Sequence, residues 1–191
     1  MKTLLIDADG LVLTRPKLFS ETYSEEYEIP LKMIAEFFEK DFRICQTGKA
    51  DLKEQLKPYL IKWKWQGTVE DFLDYWFSSD VIPNQKILEI IDLLRKKGHK
   101  CYLVADQEKY RARYIENILK KHFDGMFFSC DLGYKKSEQE FFETILEKIK
   151  TKPENIEFWD DEIENTQVAV NLGIKSKLYI DSETFEKSFS A

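Results

Sequence analysis

From Asn84 onward the chain alternates short apolar runs with amphipathic stretches. That alternation restricts it to a parallel sheet covered on both faces by helices. The apolar runs are Cys101-Tyr102-Leu103-Val104-Ala105, Met126-Phe127-Phe128-Ser129, Ile156-Glu157-Phe158-Trp159 and Lys177-Leu178-Tyr179-Ile180. Each has the length of a buried strand. Asn84 is placed to cap a helix whose apolar face is Ile87, Leu88, Ile91 and Leu94 and which ends at Lys96-Lys97-Gly98, where basic residues and glycine belong. A second helix carries Tyr110, Tyr114, Ile115, Ile118 and Leu119. A third follows Ser137 and Glu140, spaced as a capping box, with Phe141, Phe142, Ile145, Leu146 and Ile149 behind them. A fourth, through Val168, Ala169 and Leu172, stops at Gly173, and the short polar tail from Asp181 is expected to fray. With the run Leu4-Leu5-Ile6 near the amino end, the expectation is a Rossmann-like α/β fold with a parallel sheet of about five strands.

Residues 17–80 interrupt this pattern. Aromatics crowd there, including Phe19, Phe38, Phe42, Trp63, Phe72 and Trp76, and no strand alternation of any length occurs. Leu31, Ile34, Phe37 and Phe38 follow helical spacing, as do Val69, Phe72, Leu73 and Trp76. Leu52, Leu56 and Leu60 do the same, with Pro58 as an interruption. The stretch reads as a helical insertion of three to five segments. Its aromatics mostly form a small core of their own, and a minority line a substrate cleft.

Charge and cysteine usage narrow the partners. The 191 residues suit one domain, or one domain with an insertion, and their net charge of −6 argues against nucleic acid as a main partner. No run approaches the length of a membrane span. Cys45, Cys101 and Cys130 match no zinc spacing, and Cys101 sits in a core run. Reduced cysteines and the lack of a signal peptide lead to an expected cytoplasmic location.

Polar residues collect where the apolar runs end. Asp7 and Asp9 follow Leu4-Leu5-Ile6, spaced to point the same way from an extended chain, and Gly10 lets the chain turn. Asp106 follows Ala105, Lys136 lies in the loop Gly133-Tyr134-Lys135-Lys136, and Asp160-Asp161 close the fourth run. In a parallel sheet these strand ends share one edge, where ligands bind. Three or four carboxylates and one lysine there suit Mg²⁺, a hard cation with oxygen ligands, and a phosphate. A carboxylate can also serve as a nucleophile.

With these residues the chain resembles the haloacid dehalogenase-like superfamily of phosphotransferases and hydrolases over nearly its whole length. Leu5-Ile6-Asp7-Ala8-Asp9-Gly10 is similar to the first family motif, D-x-D-G after an apolar strand. The resemblance makes Asp7 the nucleophile and a metal ligand. It makes Asp9 the general acid/base, with its backbone carbonyl also on the metal. Leu103-Val104-Ala105-Asp106 stands where the second motif places a phosphate-binding Ser or Thr, and Ala105 lacks that hydroxyl. Ala105 and Asp106 thus take the phosphate-binding position, together with Lys136, which resembles the third-motif lysine. Phe158-Trp159-Asp160-Asp161 resembles the fourth motif, with Asp161 as the direct Mg²⁺ ligand and Asp160 supporting through water. The insertion resembles the family's helical cap. This implies an α/β core domain over 1–14 and 83–191, a cap over 15–82, and hinges at Thr14-Arg15-Pro16 and Ile82-Pro83. The family's sheet order puts the first strand centrally.

The implied activity is a Mg²⁺-dependent phosphatase acting on a small phosphorylated metabolite through an aspartyl-phosphate. Asp9 favours phosphoryl over halide chemistry, because dehalogenases of the superfamily do not place Asp there. The alternatives are a catalytically weakened metal-binding or regulatory protein, suggested by Ala105, and a phosphomutase. The loop Gln46-Thr47-Gly48-Lys49 falls where such families choose substrates, with Lys49 read as a solvated lysine.

Overall fold

The computed structural model describes residues 1–14 and 17–189. Strand β1 (Thr3–Asp7) leads through a tight turn to β2 (Leu13–Thr14). Five helices follow: α1 (Phe19–Glu26), α2 (Leu31–Glu39), α3 (Asp41–Cys45), α4 (Leu52–Lys62) and α5 (Val69–Asp80). The chain returns through β3 (Ile82–Pro83), α6 (Gln85–Lys96), β4 (Lys100–Ala105) and α7 (Lys109–Leu119). Next come β5 (Gly125–Phe128), α8 (Ser129–Leu132), α9 (Gln139–Ile149) and β6 (Ile156–Asp160). Finally α10 (Ile163–Asn171), β7 (Lys175–Leu178) and α11 (Ser182–Lys187) close the chain.

The main sheet has the order β5-β4-β1-β6-β7, and every pairing in it is parallel. The first strand is central, as expected, so chain direction across the sheet reverses at Asp7 and leaves a crevice there. Strand alternation sends Leu4 and Ile6 into one apolar cluster with Ile87, Ile91 and Ile115, and Leu5 into another with Phe141, Phe142 and Phe158. Helices therefore cover both faces. Asn84 caps α6 as read, its Oδ1 accepting from the Ile87 N–H at 3.4 Å. Among the described residues no helix is long and apolar enough to cross a membrane.

Residues 19–80 are helical throughout their regular elements. Helix α4 runs through Pro58 rather than breaking, because the neighbouring turns and the packing of Leu56, Tyr59 and Leu60 hold it. The rings of this region form a dense net around Trp63 and Phe72, both fully buried. The antiparallel ribbon β2–β3 pairs Leu13 with Pro83 and Thr14 with Ile82, closing the two ends of the helical segment against each other. Of the expected hinges, Arg15 and Pro16 lie outside the described residues.

Several expectations need correction. The capping box at Ser137 does not form: α9 starts at Gln139 after Glu138, whose carboxylate turns back to accept from the Lys135 N–H at 2.8 Å. Strand β5 ends at Phe128, and Ser129 opens α8. Strand β7 lies two residues earlier than its apolar letters indicate. As an edge strand it pairs Lys175 with Glu157, and Lys177 reaches the buried Glu157 carboxylate at 3.2 Å. The tail does not fray at Asp181. That residue caps α11, and Phe185 is driven edge-on against Trp159 with ring centroids 4.9 Å apart.

Candidate active site

The crevice at the carboxyl edge of the sheet opens into a cavity of about 330 Å³. Its floor contains Asp7, Asp9, Asp106, Lys136 and Asp161, and its opposite wall comes from the helical segment, with Phe19, Phe38, Phe42, Trp76 and Asp80.

Lys136 organises one half of the floor. Its Nζ donates to Asp7 Oδ1 at 2.5 Å and to Asp160 Oδ2 at 2.7 Å, so one ammonium bridges the ends of adjacent strands β1 and β6. All three side chains are buried. Burial alone would push the lysine toward neutrality, but Asp7, Asp160 and Asp106 outweigh it and hold Lys136 above its ordinary value. Burial also pushes the Asp7 carboxyl well above the usual carboxylate range, against the pull of Lys136, with Asp160 raising it further. Asp160 Oδ1 accepts from the Glu162 N–H at 2.8 Å and from Asn165 Nδ2 at 3.1 Å, so both oxygens of this carboxylate are engaged.

Asp161 is exposed toward the cavity. Asp7, Asp160 and Asp161 each bring one carboxylate oxygen within 4.8 Å of the others. Gly10 makes this approach possible: it has φ +85°, and a Cβ at this position would collide with the Asp161 carboxylate. The donor set of three hard oxygen ligands beside a single lysine fits a divalent cation such as Mg²⁺.

Asp9 lines the same floor as Asp7, and its charge helps to raise the Asp7 carboxyl, but its carboxylate does not join the three-carboxylate group. The strand ends at Asp7, and Ala8 begins the turn, so the alternation that would align the two carboxylates stops short. The Asp9 carboxylate is instead gripped by Arg111, whose Nη1 and Nη2 donate to its two oxygens at 3.0 and 2.8 Å. Gln107 Nε2 makes a short hydrogen bond to the same group. Arg111 Nη2 also reaches Asp80 at the end of α5, at 2.9 Å. The Asp9 carboxylate is therefore committed to Arg111 and Gln107.

Asp106 lies on the cavity floor but turns toward the Lys136 loop, where its Oδ1 accepts from the Lys136 N–H at 3.0 Å. Burial raises its carboxyl, and the positive charge of Lys136 opposes that rise. Asp106 thus positions the lysine more directly than it can hold an anion. Ala105, paired with Phe128 in the sheet, is 1% exposed and packs in the apolar cluster without lining the cavity. Lys49 is exposed and does not line the cavity either, while Gln46 does. Gln46 Nε2 donates to the Asp106 carbonyl at 3.2 Å, its Oε1 accepts from Lys135 Nζ at 2.7 Å, and its carbonyl accepts from Ser129 Oγ at 2.6 Å. This one residue ties the helical segment to the loops at Asp106 and Lys135 and to the start of α8.

Arg111, Gln107, Asp80 and Ser129 were not foreseen from sequence. For Arg111 a signal existed. It stands four residues before Ile115 and eight before Leu119, on the stripe that α7 buries, whereas Arg113 lies off that stripe and is exposed.

Comparison with known proteins agrees with this architecture. A haloacid dehalogenase-like hydrolase family profile matches residues 1–173. A solved HAD family enzyme from Bacteroides thetaiotaomicron, in complex with magnesium and inorganic phosphate, superposes with a TM-score of 0.82 at 22% identity, covering 99% of each chain. The bifunctional epoxide hydrolase 2 of Rattus norvegicus is 28% identical over 106 residues, which are 52% of this chain and 19% of that protein. The chain thus spans about a fifth to a quarter of the length of the epoxide hydrolases it matches. A phosphorylated carbohydrates phosphatase of Thermotoga maritima is 21% identical over 187 residues, 92% of this chain and 83% of that one. On the family match over residues 1–173 and the strand-end acids and lysine described above, this chain belongs to the haloacid dehalogenase-like hydrolase family.

Proposed function

We propose that the chain is a Mg²⁺-dependent phosphatase that hydrolyses a small phosphate monoester through Asp7. The observation that carries this reading is the bridge from Lys136 to Asp7 and Asp160, with Asp161 close enough to share a cation with both. The phosphate and magnesium of the Bacteroides enzyme and the phosphatase activity named for the Thermotoga relative support it.

In this reading an Asp7 oxygen attacks phosphorus, the bond to the leaving oxygen breaks, and an aspartyl-phosphate forms. Asp9, once it has taken a proton from solvent, gives it to the leaving oxygen, then takes one from the water that attacks phosphorus and frees Asp7. That role requires the Asp9 carboxylate to leave the Arg111 fork and turn toward the reacting oxygen. Lys136 aims the Asp7 carboxylate and lends positive charge to the phosphoryl oxygens. Asp7, Asp161 and the Asp9 carbonyl would hold Mg²⁺, with Asp160 behind them, and the metal supplies further positive charge to the transferring group. Residues 15–82 act as a cap over a core of 1–14 and 83–191, which closes the site to water. The lack of a hydroxyl at Ala105 supports a second reading, a slow or purely binding protein of the same fold.

Release of inorganic phosphate from a panel of monoesters is expected with Mg²⁺ and not with a chelator. Asp7→Asn is expected to lower it by about 10³-fold or more, as for loss of a nucleophile. Near-normal turnover by the folded variant would end the covalent reading.

A further inference from the structure

We propose that the ester this site accepts carries an uncharged, apolar organic group of modest size. The inference rests on the phosphatase reading above and concerns the other end of the substrate. The wall that faces the floor is aromatic. Trp76 is stacked on Phe19 with centroids 5.2 Å apart, meets the edge of Phe38 at 5.3 Å, and lies 5.6 Å from Phe42. These rings pack on one another and on Phe72 and Tyr23, so the wall is fixed before any ligand arrives. Leu18 extends it at the mouth.

Polar groups on that side are few: Ser20, Asp80, which Arg111 holds, and Gln46. Both polar atoms of the Gln46 amide are used, one on the Asp106 carbonyl and one on Lys135. A polyol leaving group laid against the rings would give up water for few partners, Ser20 and the Asp80 carboxylate among them, and each hydroxyl left unpaired is costly. A second anion is disfavoured as well. Among the described lining residues the cationic side chains are Lys136 and Arg111, and each holds two carboxylates. Six carboxyl side chains, those of Asp7, Asp9, Asp80, Asp106, Asp161 and Glu162, line the same space. The cavity of about 330 Å³ stands at the small end of ligand pockets, which run to roughly 1,000 Å³, so the organic group is of benzyl or short-alkyl size.

The test measures kcat/KM of the full chain with Mg²⁺ on benzyl phosphate and n-hexyl phosphate. The comparison esters are glycerol 3-phosphate, a hexose monophosphate, a hexose bisphosphate and phosphocholine. All are alkyl esters, so leaving-group chemistry is nearly matched. The apolar esters are expected to lead by about tenfold or more, the scale of one well-buried methylene. Phe42→Ala and Phe38→Ala, both at half-buried positions, are expected to shrink the benzyl-to-glycerol ratio by about fivefold or more. Phe42→Leu and Phe38→Leu, which keep apolar bulk, replace the alanine variants if those unfold. A preference for the polyol, doubly anionic or cationic ester, or an unchanged ratio in the folded variants, would overturn the proposal. If no ester turns over, the phosphatase reading fails by itself. Calorimetric binding of the same compounds in the presence of Mg²⁺ then decides: tighter benzyl phosphate upholds an apolar site, and equal or weaker binding removes it.

Discussion

Two buried cations hold the floor of this site, and they do different things. Lys136 is 5% exposed and joins Asp7 to Asp160, two strand ends of one sheet. Arg111 is 4% exposed and joins Asp9, just past β1, to Asp80 at the end of the last helix of the inserted segment. The first is a compact ammonium that can serve several carboxylates crowding one point. The second is a planar fork whose fixed geometry grips one carboxylate with two bonds and reaches another. Lys136 is therefore built into a single layer, where it fixes the Asp7 carboxylate that the proposed mechanism uses. Arg111 spans the sheet edge and the helical segment, and so couples their relative position to the disposition of Asp9. The contrast separates a cation that serves the chemistry from one that serves the assembly of the site.

Replacing each cation in turn is the most forceful way to break that distinction. Lys136→Met leaves Asp7 and Asp160 buried beside each other without their shared partner. A loss of stability of about 3–5 kcal/mol is expected, together with a fall in kcat of about 10²–10³. Because the variant has one positive charge fewer among Asp7, Asp160 and Asp161, added Mg²⁺ is expected to raise its Tm more than it raises that of the parent. Arg111→Met is expected to cost a similar 3–5 kcal/mol by urea unfolding, with a smaller loss of kcat than Lys136→Met once both are measured on folded protein. If Arg111→Met abolishes turnover while barely changing stability, the two cations have been given each other's roles.

A milder probe concerns the helix that carries Arg111. Glu108 caps α7, its carboxylate accepting from the Tyr110 and Arg111 N–H groups at 2.7 and 2.5 Å. Burial nevertheless pushes its carboxyl from 4.5 up to about 7, the hydrogen bonds and Arg111 only partly offsetting the lost hydration. A carboxyl raised on folding binds its proton more tightly in the folded state. Its contribution is present in full below the unfolded value near 4.5 and is lost as the pH rises through about 7. Glu108→Gln keeps an acceptor for the cap and removes the titration. The urea midpoint of the variant is expected to fall less than the parent's between pH 5.5 and pH 8, a difference of about 2 kcal/mol. Asp7 and Asp106, raised in the same direction, leave a residual slope. An identical slope in parent and variant would show that Glu108 is solvated in solution and that the amino end of the Arg111 helix is open to water.

How far the site was legible in sequence follows the same division. Asp7, Lys136, Asp160 and Asp161 could be placed because each ends an apolar run or lies in the loop after one, and a parallel sheet brings such ends to one edge. The helices on both faces followed from the alternation of runs, and the central place of the first strand from the family resemblance. Asp9 was placed at the right edge, but its carboxylate turns to Arg111 because strand periodicity was extended two residues past the end of β1. Asp80 and Gln107 gave no signal, since their meeting depends on how the helical segment folds back over the sheet. Ser129 was hidden by its position after Met126-Phe127-Phe128, which made a helix start look like the end of a strand. The tail was read from its polar letters alone. Phe185, one residue among them, is fully buried and anchors it.

The smallest change tests the Lys136 side of the comparison at its weakest point. Ala105 occupies the strand end where the family resemblance places a hydroxyl that would donate to the transferring phosphoryl group. One residue earlier, Val104 pairs with Asp7, so the backbone is in register with the proposed nucleophile. The Ala105 methyl, however, is 1% exposed and lies in the apolar cluster rather than on the cavity surface. Ala105→Ser adds one oxygen, and two outcomes separate cleanly. If the new hydroxyl reaches the phosphoryl group, kcat is expected to rise by about tenfold, or about 1.4 kcal/mol, with stability nearly unchanged. If it stays in the apolar cluster, the cost of an unpaired buried hydroxyl is about 1–3 kcal/mol and kcat does not rise. We expect the second, because Ala105 packs in the apolar cluster and does not line the cavity, whereas Gln107, a neutral donor, does. Measurement of kcat at saturating Mg²⁺ beside a urea melt of the same preparation distinguishes them. A destabilised variant with unchanged kcat would move the phosphate-binding role from Ala105 to the cavity-lining Asp106 and Gln107, and would leave Lys136 as the principal side chain acting on the transferring group.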